Sequence, residues 1–205
     1  MKTEDIAKHI VKHAEGRPRF IVAIAGPPGA GKTTLATRLL TFMNDHQATA
    51  KIVPMDGFHL DNSILNKRGL LERKGAPQTF DANGFVHLMM RLADVDEDVA
   101  IATFDRQRDI SIAAADVVSS RDRILLVEGN YLLLQSQPWA QLRKIWDETV
   151  FINPGIKVLE HRLVDRWLNH GLNAEDARRR ALSNDIPNAH YVLENSSPAQ
   201  ITIAE

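Results

Sequence analysis

Residues with the chemistry for binding phosphate stand together near the start of the chain. Gly26 and Gly31 bracket a short loop that ends in Lys32 and Thr33, in the spacing G-x-x-x-x-G-K-T. Glycines let the backbone approach an anion closely, and the lysine adds a mobile positive charge for the outer phosphates. The threonine hydroxyl suits Mg²⁺, which prefers oxygen ligands. The predicted nucleotide-binding residues are Gly26, Pro27, Pro28, Gly29, Ala30, Gly31, Lys32, Thr33 and Thr34.

The elements on either side of this loop are those that a phosphate site requires. An apolar run of strand length occupies residues 19–25, and residues 35–43 have helical periodicity. A loop between a buried strand and a helix points backbone N–H groups and the positive end of the helix dipole at the anion. Chance similarity in a Gly/Pro turn is therefore a weak alternative to phosphate binding.

Strands and helices alternate along the rest of the chain, which predicts an α/β fold with a central parallel sheet. Strands are predicted at 20–25, 51–55, 99–104, 123–127, 148–152 and 200–204. The segment 111–118 is ambiguous, and a long polar insertion spans residues 60–79. Residues 156–184 are predicted to be helical with a joint at Gly171, and residues 185–195 to be a loop.

Polar residues follow several of the predicted strands directly. Asp56 follows the second strand, the pair Asp105-Arg106 follows the strand at 99–104, and Glu128 follows the strand at 123–127. The carboxyl ends of parallel strands share one edge of a sheet, where ligands bind. We therefore expect these residues to meet the phosphate-binding loop, although they are far apart along the chain.

Two of these acids have the chemistry for phosphoryl transfer. A carboxylate near the acceptor hydroxyl can take its proton, and a second acid can orient Mg²⁺ or its water. Asp56 is the candidate for the first role, with Asp61 a weaker rival, and a turn or cap residue is the structural alternative. Glu128 is the candidate for the second role, together with Thr33 as metal ligand. Its structural alternative is a buried acid paired with Lys32.

Positive charge over the transferring group is expected from Arg162 and Arg166, which are four residues apart and share one helix face. The alternative is a solvated face with local ion pairs. The predicted catalytic residues are therefore Lys32, Asp56, Arg162 and Arg166.

Acceptor binding is expected from the insertion and the segment 105–109. The predicted substrate residues are Asp56, His59, Arg73, Asp105, Arg106 and Arg108, with Asp61, Arg68 and Lys74 as further polar groups nearby. The basic excess suits an acceptor with a carboxylate or phosphate, and the mixture of acids and bases also suits a polyol. The alternative for each of these residues is an ordinary surface side chain that binds no substrate.

Composition narrows the class of protein. The chain has 205 residues, a net charge of −1 and no cysteine. It predicts one domain without disulfides or a zinc–thiolate site, and no general basic surface for nucleic acid. No apolar run approaches the roughly 18 residues of a membrane span. We therefore expect a cytoplasmic protein that binds a small-molecule acceptor, without membrane insertion, and a homodimer is left open.

Several motifs together resemble the phosphoribulokinase/uridine kinase/pantothenate kinase group of P-loop kinases, over nearly the whole chain. They are the segments 26–34, 55–59, 73–81, 104–106, 127–134, 170–172 and 184–188. Within the group, the chain is most similar to bacterial proteins named as fructose transport system kinases. The resemblance implies a three-layer P-loop NTPase fold in one domain, 1–205, with a helical lid near 156–185 and an acceptor-site insertion near 57–80.

The resemblance also implies roles for particular residues. In that group the acid of the Asp-Gly-Phe segment acts as base, which is Asp56 here. The P-loop lysine and threonine correspond to Lys32 and Thr33, and the lid arginines to Arg162 and Arg166. Uridine kinases carry a histidine- and arginine-containing substrate segment where this chain has Asp105-Arg106-Gln107-Arg108-Asp109, and pantothenate kinases are longer.

The expected function is an ATP-dependent kinase that uses Mg²⁺ and phosphorylates a hydroxyl of a sugar or similar metabolite, with fructose as one candidate. Pantothenate, glycerate and a nucleoside are the alternative acceptors. A nucleotide-dependent switch is a rival from another class, and it would require an Asn-Lys-x-Asp motif for base recognition. The segment Asn66-Lys67-Arg68-Gly69 lacks the final aspartate and follows the wrong strand.

Overall fold

A computed structural model describes residues 2–94 and 97–204 of the chain. The sequence predicts an acidic loop at 94–98, and residues 95 and 96 of this loop lie outside the described residues. The strands are β1 (Phe20–Ala25), β2 (Ala50–Pro54), β3 (Val99–Asp105), β4 (Ile110–Val118), β5 (Ile124–Gly129), β6 (Glu148–Asn153) and β7 (Ile201–Ala204). The α-helices are α1 (Thr3–Ala14), α2 (Lys32–Asp45), α3 (Asn62–Lys67), α4 (Ala82–Ala93), α5 (Ile156–Asn169), α6 (Ala174–Arg180) and α7 (Ile186–Asn195).

The centre of the molecule is a parallel sheet of five strands in the order β2-β5-β1-β6-β7. Every residue of β1 and of β5 is buried, as expected for strands that are covered on both faces. The predicted parallel sheet is confirmed, and so is the terminal strand. All five strands present their carboxyl ends at the same edge, which we call the phosphate edge because β1 runs there into the loop Gly26–Thr34.

Alternate residues of β1 belong to two separate cores, one on each face of the sheet. Val22 and Ile24 pack in a cluster with buried residues of α1, α2 and α5. Ala23 and Ala25 pack in a second cluster with α4 and with the rings of Tyr131 and Trp139. Burial of apolar side chains in both clusters accounts for the three layers of helix, sheet and helix.

The strand predicted at 99–104 does not join the parallel sheet, and this part of the prediction is wrong. β3 pairs antiparallel with β4, which includes the ambiguous segment 111–118, in a separate two-stranded sheet. The short polar connection between the two strands is the reason. Asp105 accepts hydrogen bonds from the backbone N–H groups of Gln107 and Arg108, both at 3.0 Å, which closes a hairpin turn rather than a crossover.

The segment after β6 is helical, with the expected break at Gly171, whose φ is +89°. The prediction of a loop at 185–195 is wrong, because α7 occupies nearly all of it. Residues Ala181–Asp185 form one wide π-helical turn that leads directly into α7. Buried Ala189 and Val192 face the two cores and stabilise this helix. In the described part of the chain, no helix has the length and apolar character to cross a bilayer.

Candidate active site

The loop Gly26–Thr34 connects β1 to α2 at the phosphate edge, as the sequence predicts. Two of its glycines are required by the local geometry. A Cβ at Gly26 would lie 2.6 Å from the carbonyl oxygen of Ile152 in β6, too close for any side chain. Gly31 has φ +94° at the position before α2, a conformation that favours glycine. The loop is therefore shaped by its own glycines and by contact with the neighbouring strand.

Lys32 is the buried cation of this loop. Its side chain folds back so that Nζ donates a hydrogen bond to the carbonyl oxygen of Pro27 at 2.9 Å. Burial lowers the pKa of Lys32 to about 8, while the carboxylates of Glu128 and Asp56 oppose this shift. The nearby positive charges of Arg166 and Arg106 add to the lowering. Burial is thus the main reason that the charged amine is disfavoured, and an anion beside Nζ would stabilise it.

Glu128 lies beside the hydroxyl of Thr33 rather than in an ion pair with Lys32. Thr33 Oγ1 donates to Glu128 Oε1 at 3.2 Å, and Glu128 is only 6% exposed. Burial first, and then the charge of Asp56, raise the pKa of Glu128, whereas Lys32 lowers it. A divalent cation would offset this accumulation of negative charge. The oxygen donors therefore fit Mg²⁺, which binds through one or two protein oxygens plus phosphates and water.

Protein side chains alone do not form a complete metal cage here. Among the described residues, no group of three or more His, Cys, Asp or Glu side chains is placed to hold a metal ion. This agrees with the pattern of Mg²⁺ sites that take most of their ligands from a nucleotide and from water.

Asp56 reaches the phosphate edge from a short 3₁₀ turn, Met55–Phe58, that follows β2. Its Oδ2 accepts a hydrogen bond from Arg106 Nη2 at 2.6 Å, across 50 residues of sequence. The turn packs closely on β3, because a Cβ at Gly57 would lie 2.3 Å from the carbonyl oxygen of Ala102. The hairpin therefore brings Arg106 to Asp56 although β3 is outside the parallel sheet.

His59 is held next to Asp56 by stacking and by backbone contacts. Its ring lies between Phe80 and Phe104, with centroids 4.1 and 4.5 Å away. Burial lowers the pKa of His59, and the charge of Asp56 opposes that shift. Nδ1 lies 2.8 Å from the carbonyl oxygen of Asp56, so it carries the proton. The neutral ring then presents Nε2 as a hydrogen-bond acceptor.

The other predicted substrate residues have contacts away from Asp56. Asp105 shapes the hairpin turn, and the exposed Arg108 has its nearest acid in Asp105 at 4.0 Å. Arg73 donates to the carbonyl oxygen of Ser183 at 3.0 Å and to Asn188 Oδ1 at 3.3 Å. It therefore links the insertion to the helical segment that comes after β6.

The further polar groups of the insertion also have structural contacts. Asp61 caps α3, and its Oδ1 accepts a hydrogen bond from the N–H of Ser63 at 2.8 Å. This structural role makes Asp61 a weaker candidate for the base than Asp56. Lys74 donates to Asn62 Oδ1 at 2.7 Å and pairs with Asp109 Oδ1 at 2.9 Å. This clamp fixes the hairpin turn that carries Arg106. Sequence patterns do not reveal it, because Lys74 and Asp109 are 35 residues apart.

Arg162 and Arg166 lie on the face of α5 that is turned toward the phosphate-binding loop. The charge of Arg166 contributes to the lowered pKa of Lys32, and its guanidinium lies over the Trp167 ring at 5.5 Å. Arg166 Nε is buried and makes no hydrogen bond within the described chain. Arg162 and the loop residue Gly29 line the same cavity of about 440 Å³. The predicted pair is thus close to the loop, on a helix that packs against it.

Comparison with known proteins agrees with this geometry. Residues 21–170 match the Phosphoribulokinase / Uridine kinase family. The chain belongs to this family. It is 33% identical to the protein YggC of Escherichia coli over 90% of this chain and 77% of that protein. It is 32% identical to the "Putative uridine kinase C227.14" of Schizosaccharomyces pombe, over 97% of this chain and 87% of the relative.

A solved structure is similar over its whole length. The "putative fructose transport system kinase" of Silicibacter sp. TM1040 has a TM-score of 0.94 and 42% identity, with 99% of each chain covered. Members of the phosphoribulokinase/uridine kinase family are kinases with a nucleotide-binding P-loop. We therefore predict that the loop Gly26–Thr34 of this kinase binds a nucleotide, and the lowered pKa of Lys32 gives this prediction a measurable consequence.

Nucleotide binding near pH 8.5 is expected to take up protons at Lys32. Most of the free protein carries a neutral Lys32 at that pH, because its pKa is about 8. Phosphate charge next to Nζ raises this pKa, so the amine gains a proton when ATP binds. Titration calorimetry in two buffers of different ionisation enthalpy measures the uptake. It should shrink at pH 6.5, where Lys32 is already charged, and disappear in Lys32→Met. Equal uptake in that variant would assign the proton to another group.

Proposed function

We propose that the protein is an ATP-dependent kinase that transfers the γ-phosphoryl group to a hydroxyl of a sugar or a similar small polar metabolite. The observation that carries the proposal is the position of Asp56. Its charge acts on both Lys32 and Glu128, and its carboxylate pairs with Arg106 at 2.6 Å. These contacts support Asp56 as the base, because its carboxylate is close both to the phosphate-binding loop and to Arg106, a group that can hold an acceptor.

The proposed reaction uses these residues in one displacement. The acceptor oxygen forms a bond to the γ-phosphorus while the bond to the bridging β–γ oxygen breaks, and ADP leaves. Asp56 takes the proton of the acceptor hydroxyl. Lys32 moves from Pro27 to the phosphates, and Arg162 and Arg166 add positive charge from α5. Mg²⁺ held by Thr33 and Glu128 would neutralise charge on the phosphates.

The cavity of about 440 Å³ beside the loop is the proposed place for the nucleoside part of ATP. It is lined by Gly29–Gly31, and by Arg38, Arg162 and Ile203 from three further elements. The loop binds the phosphates at one end, so the base and ribose extend into this adjoining space. A pocket of this size that combines apolar walls with a few polar groups is typical of small-ligand sites.

The side chains around Asp56 favour a polyhydroxylated compound as the acceptor. Asp56 accepts hydrogen bonds, neutral His59 presents one acceptor nitrogen, and Arg106 donates. This mixture matches hydroxyl groups better than a single charged group. The name of the Silicibacter relative suggests fructose, and the name of the Schizosaccharomyces relative suggests a nucleoside. The aromatic rings of Phe80 and Phe104 beside His59 are the structural feature that favours a nucleoside as the acceptor.

An acceptor panel tests this proposal. ADP release with Mg·ATP is measured with fructose, other hexoses, ribose, glycerate, pantothenate and uridine. We expect the rate to rise strongly with one sugar or nucleoside and to return to background without acceptor. The product of that acceptor is then identified by mass and by phosphorus NMR. A slow rate that no acceptor changes would contradict the kinase proposal and favour the nucleotide-dependent switch.

A further inference from the structure

A cavity of about 770 Å³ lies outside the catalytic residues, between the insertion, the segment 136–139 and α7. We call it the outer cavity. Neither the phosphate-binding loop nor Asp56, Glu128 or the α5 arginines line it. Its volume is within the range of about 300–1,000 Å³ that small-molecule sites occupy.

The wall between the outer cavity and the active site is built from packed and hydrogen-bonded residues. Phe80 lines the cavity, is 6% exposed, and contacts the ring of His59. The hydroxyl of Tyr131, which is fully buried, donates to the carbonyl oxygen of Gly75. The buried Thr79 hydroxyl donates to the carbonyl oxygen of Ala76 at 2.7 Å. The segment 75–80 is therefore fixed from within, and Phe80 stands between the outer cavity and His59.

Two arginines make this cavity attractive to an anion. Within the described residues, the Arg68 side chain has neither a hydrogen bond nor an ion pair, and it lines the rim. Arg73 makes two hydrogen bonds, to Ser183 and Asn188, which leaves further N–H groups of its guanidinium for a ligand. The acid in the lining, Asp81, already accepts from the N–H of Gly84 as the cap of α4.

Rings and amides complete the lining. Tyr191 is 37% exposed, so its ring is available to stack on a planar group, and the buried Trp139 contributes to the floor. Gln78, Asn83 and Gln137 also line this cavity, and the side-chain amide of each offers both a donor and an acceptor. The lining thus pairs positive charge with a stacking surface and hydrogen-bonding groups.

We propose that the outer cavity is a second ligand site, for a small anion that carries a planar ring, the chemical class of a nucleoside monophosphate. Arg68 and Arg73 bind the phosphate, Tyr191 stacks on the ring, and the amides hydrogen bond to its edge. Arg73 is the link to catalysis. A phosphate that competes for its guanidinium weakens the contacts with Ser183 and Asn188, which join the insertion to the helices after β6.

Binding to this site does not depend on the proposed function, whereas an effect on phosphoryl transfer rests on it. The full chain is first titrated with Mg·AMP-PNP, a nucleotide that fills the phosphate-binding loop without transfer. AMP is then titrated calorimetrically into the saturated protein. We expect AMP to bind, and Arg68→Glu to weaken it by about tenfold or more, because a charge-assisted contact becomes repulsive. Tyr191→Ala, which removes the stacking ring, should also weaken it.

Matched variants distinguish binding in the outer cavity from general electrostatic attraction and from binding in the acceptor site. Lys67→Glu makes the same change of charge on the neighbouring residue, which does not line the cavity, and should leave AMP affinity unchanged. Equal weakening by both charge reversals would indicate general electrostatics and overturn the proposal. Absence of AMP binding to the saturated protein would overturn it as well. Loss of binding in Asp56→Asn, with binding intact in Arg68→Glu, would place AMP in the acceptor site.

The first titration reports separately on the proposed function. Failure of Mg·AMP-PNP to bind would contradict ATP as the phosphoryl donor. The AMP titration of the wild type and of Arg68→Glu would still decide the outer cavity in that case, since it needs neither donor nor acceptor.

Discussion

The Asp56→Asn variant is expected to bind Mg·ATP nearly as well as the wild type and to transfer phosphate to its acceptor roughly 10²- to 10⁴-fold more slowly. Asparagine keeps the size of the side chain and an oxygen for the contact with Arg106. It cannot take the proton of the acceptor hydroxyl. The loss should therefore appear in kcat, with little change in ATP affinity. Single-turnover transfer and equilibrium binding of Mg·ATP measure the two quantities separately.

Asp61→Asn is the matched control for this prediction. Asp61 is close in sequence and is the rival candidate, but its carboxylate caps α3 through the N–H of Ser63. Asparagine is also a good N-cap, so helix stability should change little. We expect Asp61→Asn to retain transfer. If instead Asp61→Asn lost transfer and Asp56→Asn retained it, the base would be Asp61, and the role given to the 3₁₀ turn after β2 would be wrong.

Replacement of Lys32 by methionine is expected to lower the rate of transfer by roughly 10²- to 10³-fold and to weaken ATP binding. The amine is the buried cation that reaches the outer phosphates, and charge on those phosphates grows in the transition state. Methionine fills a similar volume but donates no hydrogen bond. Initial rates at saturating Mg·ATP and acceptor measure the effect on transfer.

The same substitution should not destabilise the protein without nucleotide. Burial lowers the pKa of Lys32, which means that the folded protein disfavours its charged form. Thermal unfolding at pH 7 should therefore give a Tm equal to or above that of the wild type. Lys144→Met, at an exposed position before β6 and thus at the opposite edge of the sheet, is the control for activity. A much lower Tm for Lys32→Met would assign the lost activity to misfolding.

Local sequence patterns predict the loop Gly26–Thr34 and the strand and helix that flank it, and the structure confirms these elements. Gly26–Thr34 is one contiguous segment, and its flanking strand and helix are predicted by apolar periodicity. Only one further step, the rule that parallel strands share an edge, is needed to bring Glu128 to Thr33. Each of these inferences depends on residues that are near in sequence or on a regular sheet.

The two errors in the predicted fold have different physical causes. The apolar run at 99–104 predicts a strand of the main sheet, but an apolar run alone does not determine its partner, and β3 pairs with β4 instead. The polar segment at 185–195 predicts a loop, but a π-helical turn carries the chain past Asp185 into α7. Tertiary packing of Ala189 and Val192 stabilises that helix. The hairpin is thus decided by a short local turn that the apolar run does not include, whereas the helix is decided by contacts that are distant along the chain.

The sequence by itself determined the sheet that carries the phosphate-binding loop, the loop itself, and the family to which the chain belongs. These features depend on short motifs whose backbone geometry is dictated by glycine and by the helix after the loop. Only the tertiary structure decided the contacts around the proposed acceptor site. Asp56 meets Arg106 and Lys74 meets Asp109 through the hairpin, and Arg73 turns instead to the helices after β6. Such pairings are decided by how separate elements pack, and no local pattern contains that information.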